Sequence, residues 1–362
     1  MYRKEMNKNM VFRTVRVILS LFLLIALFSC KKNEVPDEIV VEEDTEEQQE
    51  EQPAVEPEET YSLKVLDEGD IIFYSSEDYY RYGPSMMEYE DGSIDAWFSS
   101  PGNSGSQWDW LIYRHSDDRE EWSDETVVLR PTPESKDRCS VCDPGAIYFG
   151  GYYYLAYTGT DYYEGQGSYN MAFVARSRSA DGPYEKWNGS GWGGDPEPII
   201  YYDGGQDNWG IGEVSFVIKD EDLFIYYTYI DIRDSYIGLF KADLVENWPA
   251  AMREKGPVLY RLDHDSVEIV YDEYNDTFYA FSIDGRMLEG SNLVVYESKN
   301  GKDFSLIAST KEYIEDYAHN MGVLKSPEGH IDSSKPLLIG YAYGKEWGRW
   351  NTKIQEILLS KE

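Results

Sequence analysis

The chain is short of positive charge, histidine and cysteine. Its 362 residues carry 33 Lys and Arg against 68 Asp and Glu, which gives a formal net charge of -35, with 4 His and 3 Cys. Phosphate backbones and anionic headgroups repel a polyanion of this size, so we expect neither nucleic-acid binding nor a basic membrane-binding surface. The scattered histidines also offer few ligands for a zinc site. We therefore predict no metal-binding residues and no required cofactor.

Aromatic residues, in contrast, are abundant. They make up 15% of the chain, and 32 of them are tyrosines. This content is far too high for a solvated coil, and the length allows one large domain or two ordinary ones. Most of the chain is therefore expected to fold around a core.

The N-terminus has the features of an export signal. Basic residues ending at Arg16 are followed by an apolar run, Val17 to Phe28, which is too short for a comfortable bilayer span. Leu27-Phe28-Ser29-Cys30 resembles the lipobox of bacterial lipoproteins, in which the cysteine is acylated. We predict that residues 1–30 are a lipoprotein signal peptide and that Cys30 carries the lipid. An ordinary signal peptide and an uncleaved anchor are the alternatives.

The next segment, residues 31–60, is predicted to be a disordered acidic linker. Residues 34–60 contain thirteen acidic residues, no basic residue and no aromatic residue. Such a segment repels itself and cannot collapse, so it is typical of an extended tether. The protein is then expected to be a cell-envelope lipoprotein of the bacterial outer membrane, periplasmic or surface-exposed, held to the membrane through its lipid alone.

Two further cysteines lie close together, in Cys139-Ser140-Val141-Cys142. A thioredoxin-like redox pair requires a strand, a turn and a helix, but Asp143-Pro144-Gly145 and a strand pattern follow here. A local disulfide and two packed thiols are the remaining alternatives.

From residue 61 onward the sequence has the periodicity of strands and contains internal repeats. Five segments start with a small or acidic residue, run through an apolar strand and return as an aromatic strand. They recur at intervals of 53 to 70 residues. Similar turns follow several of them, among them Ser179-Ala180-Asp181-Gly182 and Ser298-Lys299-Asn300-Gly301. The segments begin at Tyr82-Gly83, Cys142-Asp143, Gly212-Glu213, Asp265-Ser266 and His319-Asn320.

A unit of three to four antiparallel strands cannot bury both of its faces alone, and radial stacking solves that problem. We therefore predict an all-β fold, with residues 61–362 forming a five-bladed β-propeller. The last repeat needs an outermost strand from the N-terminal side, which we place at Asp70 to Tyr74. A two-sheet sandwich, the other candidate architecture, leaves a five-fold recurrence unexplained.

The repeat starts are expected to meet in the central channel, because the first strand of each propeller blade lines it. Asp143 and Glu213 hold equivalent positions on adjacent blades, and Asp265 lies one step back on the fourth. Carboxyl groups on adjacent blades are expected roughly 6–9 Å apart, which is the range of inverting glycosidases. Each acid taken alone is also compatible with ordinary turn chemistry or solvation.

At these positions the sequence resembles the glycoside hydrolase family 43 superfamily of five-bladed propellers, with relatives in families 32, 62, 117 and 130. Asp143-Pro144 with the return strand Tyr152 to Tyr157, Gly212-Glu213, and Ala318-His319-Asn320 match its short motifs. The resemblance implies one Asp as general base, a Glu as general acid and a second Asp that tunes the acid and orients the sugar. It also implies a histidine at the channel, near which a Ca²⁺-type ion is expected in some members.

The sequence departs from this pattern in the first repeat, where Gly83-Pro84 replaces the Asp-Pro motif of the base. We still predict Glu213 as the acid, Asp143 as the base and Asp265 as the tuning group. The predicted substrate-binding residues are Arg81, Trp209, Glu268, His319 and Asn320.

The resemblance therefore predicts a lipoprotein that hydrolyses plant- or algal-type glycans with inversion. The alternative is a glycan-binding or structural propeller that has lost its chemistry, which the missing acid at Gly83 favours. A sialidase-type enzyme is disfavoured because its Asp-box turns and arginine triad are not evident.

Overall fold

A computed structural model of the protein describes most of the residues after the predicted linker. The predicted signal peptide, the linker and Cys30 lie outside the described residues, and so does Asp265. The ranges described are 61–66, 71–77, 79–104, 107–165, 167–260, 266–310 and 314–361.

These residues form β-strands almost throughout, which confirms the all-β prediction. A 3₁₀ turn, Trp248–Ala251, is the one helical element in the described ranges, and no helix there is long and apolar enough to cross a bilayer. The strands are β1 (Tyr61–Val65), β2 (Ile71–Tyr74), β3 (Tyr82–Glu88), β4 (Ile94–Ser104), β5 (Gln107–Ser116), β6 (Thr126–Leu129), β7 (Ser140–Phe149), β8 (Tyr152–Thr160), β9 (Met171–Ser177), β10 (Glu185–Lys186), β11 (Gly210–Lys219), β12 (Asp222–Ile230), β13 (Ser235–Asp243), β14 (Arg253–Tyr260), β15 (Glu268–Asp272), β16 (Thr277–Asp284), β17 (Asn292–Ser298), β18 (Ser305–Ser309), β19 (Ala318–Lys325), β20 (His330–Ile331), β21 (Leu337–Tyr343) and β22 (Asn351–Lys361).

The strands pair into antiparallel runs of four, each beginning at one of the predicted repeats. The first run is β3-β4-β5-β6, the second β7-β8-β9-β10 and the third β11-β12-β13-β14. The fourth run is β15-β16-β17-β18, and the fifth is β19-β21-β22-β1. Neighbouring runs meet through their first strands, which contact one another in the closed cycle β3, β7, β11, β15, β19 and back to β3.

The N-terminal strands complete the fifth run. β2 pairs with β22, as we predicted for the segment ending at Tyr74, and β1 pairs with the remainder of β22 from Ile357 to Lys361. The first and last described segments of the domain are thus hydrogen-bonded to each other, which covers an edge that a strand otherwise leaves open.

The first strands of adjacent runs lie very close together. A Cβ atom at Gly145 would lie 1.8 Å from the Val214 carbonyl oxygen, and one at Gly322 would lie 1.9 Å from that of Pro84. Only glycine permits such an approach of two backbones. At the equivalent position of the third run, the Ser215 hydroxyl accepts a hydrogen bond from the Ile269 amide at 3.0 Å. We call Ser85, Gly145, Ser215, Glu268 and Gly322 the packing positions.

The repeated turns fix each run to the one before it. The Trp97 indole, fully buried in β4, donates a hydrogen bond to the Ala180 carbonyl in the turn of the second run, at 3.0 Å. Tyr226 of β12 makes the equivalent bond to the Gly301 carbonyl in the turn of the fourth run, at 2.8 Å. A buried indole or phenol is usually hydrogen-bonded, and for these two side chains the partner is a turn of the next run.

Candidate active site

The five residues that the repeats align share an unusual backbone conformation. Each has a positive φ, between 44° and 62°, in the left-handed region. For residues other than glycine this conformation costs roughly 1–3 kcal/mol, and it concentrates at functional sites. We call them the left-handed positions: Gly83, Asp143, Glu213, Ser266 and Asn320.

Local irregularities of the strands produce this conformation. The pairing register shifts at Asp143, Glu213 and Asn320, each of which lies within a bulge of the first strand of its run. A bulge turns a side chain away from the face that strand alternation assigns to it. The Asp143 amide donates to the Ser99 hydroxyl, and the Glu213 amide donates to the Thr158 hydroxyl, each at 2.9 Å. Each freed amide is therefore satisfied by the second strand of the preceding run.

One amide group connects the two predicted catalytic acids. Asn320 Nδ2 donates one hydrogen bond to Asp143 Oδ1 and another to Glu213 Oε1, both at 3.2 Å. The two oxygens are consequently no more than twice that distance apart. All three residues line the same cavity, of about 460 Å³. The sequence alignment of repeats thus correctly identified side chains that meet.

His319 holds this amide in its orientation. The side chain is buried, and its Nδ1 contacts Asn320 Oδ1 at 2.6 Å, so the ring donates and the amide oxygen accepts. Burial and the nearby Arg286 lower the pKa of His319 to about 3. The ring is therefore neutral at neutral pH and is not an imidazolium acid there. Trp350 packs against it edge-on, with the ring centroids 4.7 Å apart.

Glu213 and Asp143 each have a further hydrogen-bond donor. The Ser266 backbone amide donates to Glu213 Oε2. The Cys142 thiol donates to Asp143 Oδ2 at 3.3 Å, and burial raises the pKa of that thiol, so the donor hydrogen is retained. Cys139 and Cys142 are both buried and form no disulfide, which is the packed-thiol alternative.

A third carboxyl group lines the cavity, and sequence reasoning missed it. Asp109 of β5 accepts hydrogen bonds from the Tyr80 hydroxyl at 2.6 Å and the Ser140 hydroxyl at 2.7 Å. Burial raises the pKa of Asp109, although these hydroxyl groups offset part of the rise. Asp109 lies between two tryptophans near the start of a strand. An aspartate is unfavourable within a strand, and this was the available signal.

Aromatic rings form the walls of the cavity. Trp209, predicted to bind substrate, lines it together with Tyr82, Trp347 and Trp350. Trp347 is 65% exposed and packs edge-on against Trp350 with the centroids 4.9 Å apart. Exposed rings beside convergent polar groups are typical of sites that bind small molecules.

Two other predicted substrate-binding residues lie elsewhere. The Arg81 guanidinium pairs with the Glu125 carboxylate, with the Nη2 and Oε2 atoms 2.6 Å apart, and stacks on Tyr74. Glu268 forms a buried ion pair with Lys325 at a packing position. Neither residue lines the cavity with Asn320. Glu268 instead lines a small adjoining cavity, of about 20 Å³, together with Asp143 and Glu213.

The described residues do not offer a cluster for the expected channel ion. No group of three or more His, Cys, Asp and Glu side chains within these ranges is arranged to hold a metal. Ca²⁺ takes six to eight oxygen ligands, whereas His319 presents an imidazole nitrogen. The channel ion therefore stays a prediction.

Comparison with known proteins relates the chain to a fold. No protein-family model matches the sequence, and no curated protein matches it. Among solved structures, Zg3597, a family 117 glycoside hydrolase of the marine bacterium Zobellia galactanivorans, is similar with a TM-score of 0.57 and 17% identity, over 83% of this chain and 90% of that chain.

Two further solved structures are similar at the same level. The α-L-arabinofuranosidase PaAbf62A from Podospora anserina has a TM-score of 0.57 and 9% identity, over 80% of this chain and 94% of its own. An endo-arabinase from Bacteroides thetaiotaomicron has a TM-score of 0.53 and 12% identity, over 80% and 96%. These neighbours are five-bladed β-propeller glycoside hydrolases. The chain therefore shares the fold of the superfamily that its motifs resemble.

Proposed function

We propose that the protein is a glycoside hydrolase and that its five antiparallel runs are the blades of a five-bladed propeller. The observation that carries this proposal is the Asn320 amide, which joins Asp143 and Glu213 within a cavity walled by aromatic rings. Convergent carboxyl groups beside such rings suit the two tasks of glycoside hydrolysis, which are proton transfer and binding of a sugar face.

Glu213 is proposed as the general acid. It enters the cavity from the first strand of the third run, and the Asn320 amide and the Ser266 backbone amide fix its position. In this role its proton passes to the oxygen of the departing sugar as the glycosidic bond breaks. The proposed substrates are plant- or algal-type oligosaccharides, because the solved structures with this fold include arabinofuranosidases and an endo-arabinase.

Asp143 lies close to Glu213 for a partner base in an inverting reaction. Their Asn320-bonded oxygens are separated by at most twice 3.2 Å, whereas inverting enzymes hold the two carboxyl groups roughly 6.5–9.5 Å apart so that water and sugar fit between them. We therefore propose that Asp143, held by Cys142 and Asn320, orients the sugar and tunes Glu213.

The test is a screen of the purified protein against nitrophenyl glycosides and plant and algal oligosaccharides. Glu213→Gln should lower kcat by about 10²–10⁴-fold, the usual contribution of a general acid. A dinitrophenyl leaving group needs no proton, so activity of this variant should return on such a substrate. Glu254→Gln, on an exposed part of β14, is the isosteric control and should match the wild type.

Two results would contradict the proposal. Unchanged turnover in Glu213→Gln would remove the acid assignment. Binding of oligosaccharides without hydrolysis by the wild type would favour the glycan-binding propeller, which the absent carboxyl group at Gly83 already makes the competing function. The lipid on Cys30 and the cell-envelope location are proposed on the lipobox resemblance alone.

A further inference from the structure

The first run has no side chain at its left-handed position, but it delivers a carboxyl group to the cavity from another strand. Gly83 packs against Asp143, since a Cβ atom there would lie in van der Waals contact with it, 3.5 Å from Asp143 Oδ1. Asp109 of β5, the third strand of the same run, lines the cavity instead. The first run thus still supplies an aspartate to the cavity, but from its third strand and not from its first.

Asp109 is held firmly at the cavity wall. The Trp108 amide donates to the Cys139 carbonyl at 2.7 Å, which joins the start of β5 to the start of the second run. The Tyr80 hydroxyl donates to Oδ1 and the Ser140 hydroxyl to Oδ2. The Tyr82 hydroxyl also hydrogen-bonds this carboxylate. A carboxylate offers about four acceptor sites, so Asp109 retains capacity for a water molecule from the cavity.

A series of polar contacts leads from Asp109 through Asp143 to Glu213. The Ser140 hydroxyl that bonds Asp109 is 3.6 Å from the Cys142 sulfur, and the Cys142 thiol bonds Asp143, which shares Asn320 with Glu213. Asp109 is therefore separated from Glu213 by more intervening groups than Asp143 is. Asp109 lines the same cavity as Glu213, and in an inverting pair a sugar and a water must fit between the acid and the base.

We propose that Asp109 is the general base of the hydrolysis, an inference that rests on the proposed function. The carboxylate of Asp109 takes a proton from water, and the water oxygen bonds to the anomeric carbon. The bond from that carbon to the leaving oxygen breaks, its electron pair stays on the leaving oxygen, and that oxygen takes the proton of Glu213. Solvent then removes the proton from Asp109 and restores that of Glu213.

The surroundings of Asp109 suit a base that works near neutral pH. Burial raises its pKa above that of an exposed aspartate, and a base is most effective when its pKa is close to the working pH. The Tyr80 hydrogen bond acts in the opposite direction and lowers the pKa. Removing that hydroxyl group should therefore shift the acidic limb of the pH–rate profile to higher pH.

The experiment compares Asp109→Asn, Asp143→Asn and Glu213→Gln on nitrophenyl and dinitrophenyl glycosides. Asp109→Asn should lower kcat by about 10²–10⁴-fold on both substrates, because the water needs a base whatever the leaving group. Glu213→Gln should recover activity on the dinitrophenyl substrate.

Asp95→Asn is the matched control. Asp95 lies on the adjacent strand β4, is buried and accepts hydrogen bonds from the Tyr89 and Tyr113 hydroxyls. It should keep the wild-type kcat.

A milder variant guards against a folding defect in Asp109→Asn. Tyr80→Phe keeps the carboxylate and should move the acidic limb of kcat/KM upward by about one pH unit, the effect of losing one hydrogen bond to a charged group.

The outcomes separate this inference from the proposed function. If the wild type turns over glycosides while Asp109→Asn stays within about tenfold of it, Asp109 is not the base, although the hydrolase function stands. An unmoved acidic limb in Tyr80→Phe would equally overturn the assignment. If the wild type hydrolyses no glycoside, the proposed function and this base are refuted together.

Discussion

The left-handed positions and the packing positions lie two residues apart at the start of each of the five runs, yet they have opposite characters. At the left-handed positions, Asp143, Glu213 and Asn320 carry polar side chains into the cavity on a strained backbone. At the packing positions, Gly145 and Gly322 bring neighbouring strands into backbone contact. The left-handed positions thus form one layer, which carries the functional groups, and the packing positions form the next layer, which holds neighbouring strands together.

This difference shows how the strain of the site is supported. Each non-glycine residue in the left-handed region costs roughly 1–3 kcal/mol, and such strain persists only where the surroundings fix the conformation. The backbone contacts two residues further along hold the strands in place, and Ser99 and Thr158 satisfy the amides that the bulges release. We therefore expect changes at packing positions to affect stability and changes at left-handed positions to affect activity.

The largest expected effect is at Glu268, a packing position. Its carboxylate pairs with Lys325 Nζ, and the Lys325 side chain is 1% exposed. Glu268→Ala leaves a buried cation without a partner, which costs about 3–5 kcal/mol of unfolding free energy. Urea denaturation measures this loss. The control is Glu346→Ala, which breaks an exposed pair with Arg349 and should cost less than about 1 kcal/mol.

The opposite result would contradict the division between packing positions that act on stability and left-handed positions that act on activity. If Glu268→Ala kept its stability and lost turnover, Glu268 would act on the substrate, as the sequence alone predicted. The buried ion pair would then be incidental to folding.

A smaller effect, confined to activity, is expected at Asn320. Asn320→Ala removes the two hydrogen bonds that hold Asp143 and Glu213 together, and hydrogen bonds to charged groups are worth about 1.5–3 kcal/mol. This should lower kcat/KM by about 10- to 100-fold. The matched variant is Ser266→Ala, because Ser266 holds the equivalent position but contacts Glu213 through its backbone amide. It should retain most activity, and equal losses in both variants would argue against a role for the Asn320 side chain.

The alignment of repeats predicted much of the first layer. It selected five residues from sequence alone, and all five have a left-handed backbone in the structure. The alignment succeeded because a bulge recurs at one point in several of the repeats, and each needs a small or polar residue there. The polar character of Asn320 and its placement beside two acids followed from the same register.

The alignment of repeats could not predict the position of Asp109. Asp109 lies on a third strand, and third strands were aligned only through the turns that follow them. Glu268 lies two residues beyond Ser266, and a shift of two residues along a strand keeps a side chain on the same face, so periodicity does not distinguish the two layers. Arg81 was predicted to bind substrate, but its charge pairs with Glu125, a contact between distant segments that no local pattern reports.

The smallest expected effect is on the pH dependence of stability and comes from His319, the residue before the left-handed position Asn320. Its pKa is lowered to about 3 in the folded protein, because the ring is buried and lies near Arg286. An unfolded histidine has a pKa of about 6.5, so the unfolded state binds more protons between these values. The contribution of His319 to stability is complete above pH 6.5 and is lost as the pH falls toward 3, which amounts to a loss of about 2 kcal/mol at pH 5.

His319→Asn, which keeps a donor for Asn320, should remove this loss when unfolding is compared at pH 7 and pH 5. The control, His115→Asn, should change the pH dependence with the opposite sign, because a hydrogen bond to Asp95 raises the pKa of His115 and its contribution is lost as the pH rises. If the wild type and His319→Asn lost the same unfolding free energy between pH 7 and pH 5, protonation of His319 would not be the cause of the loss.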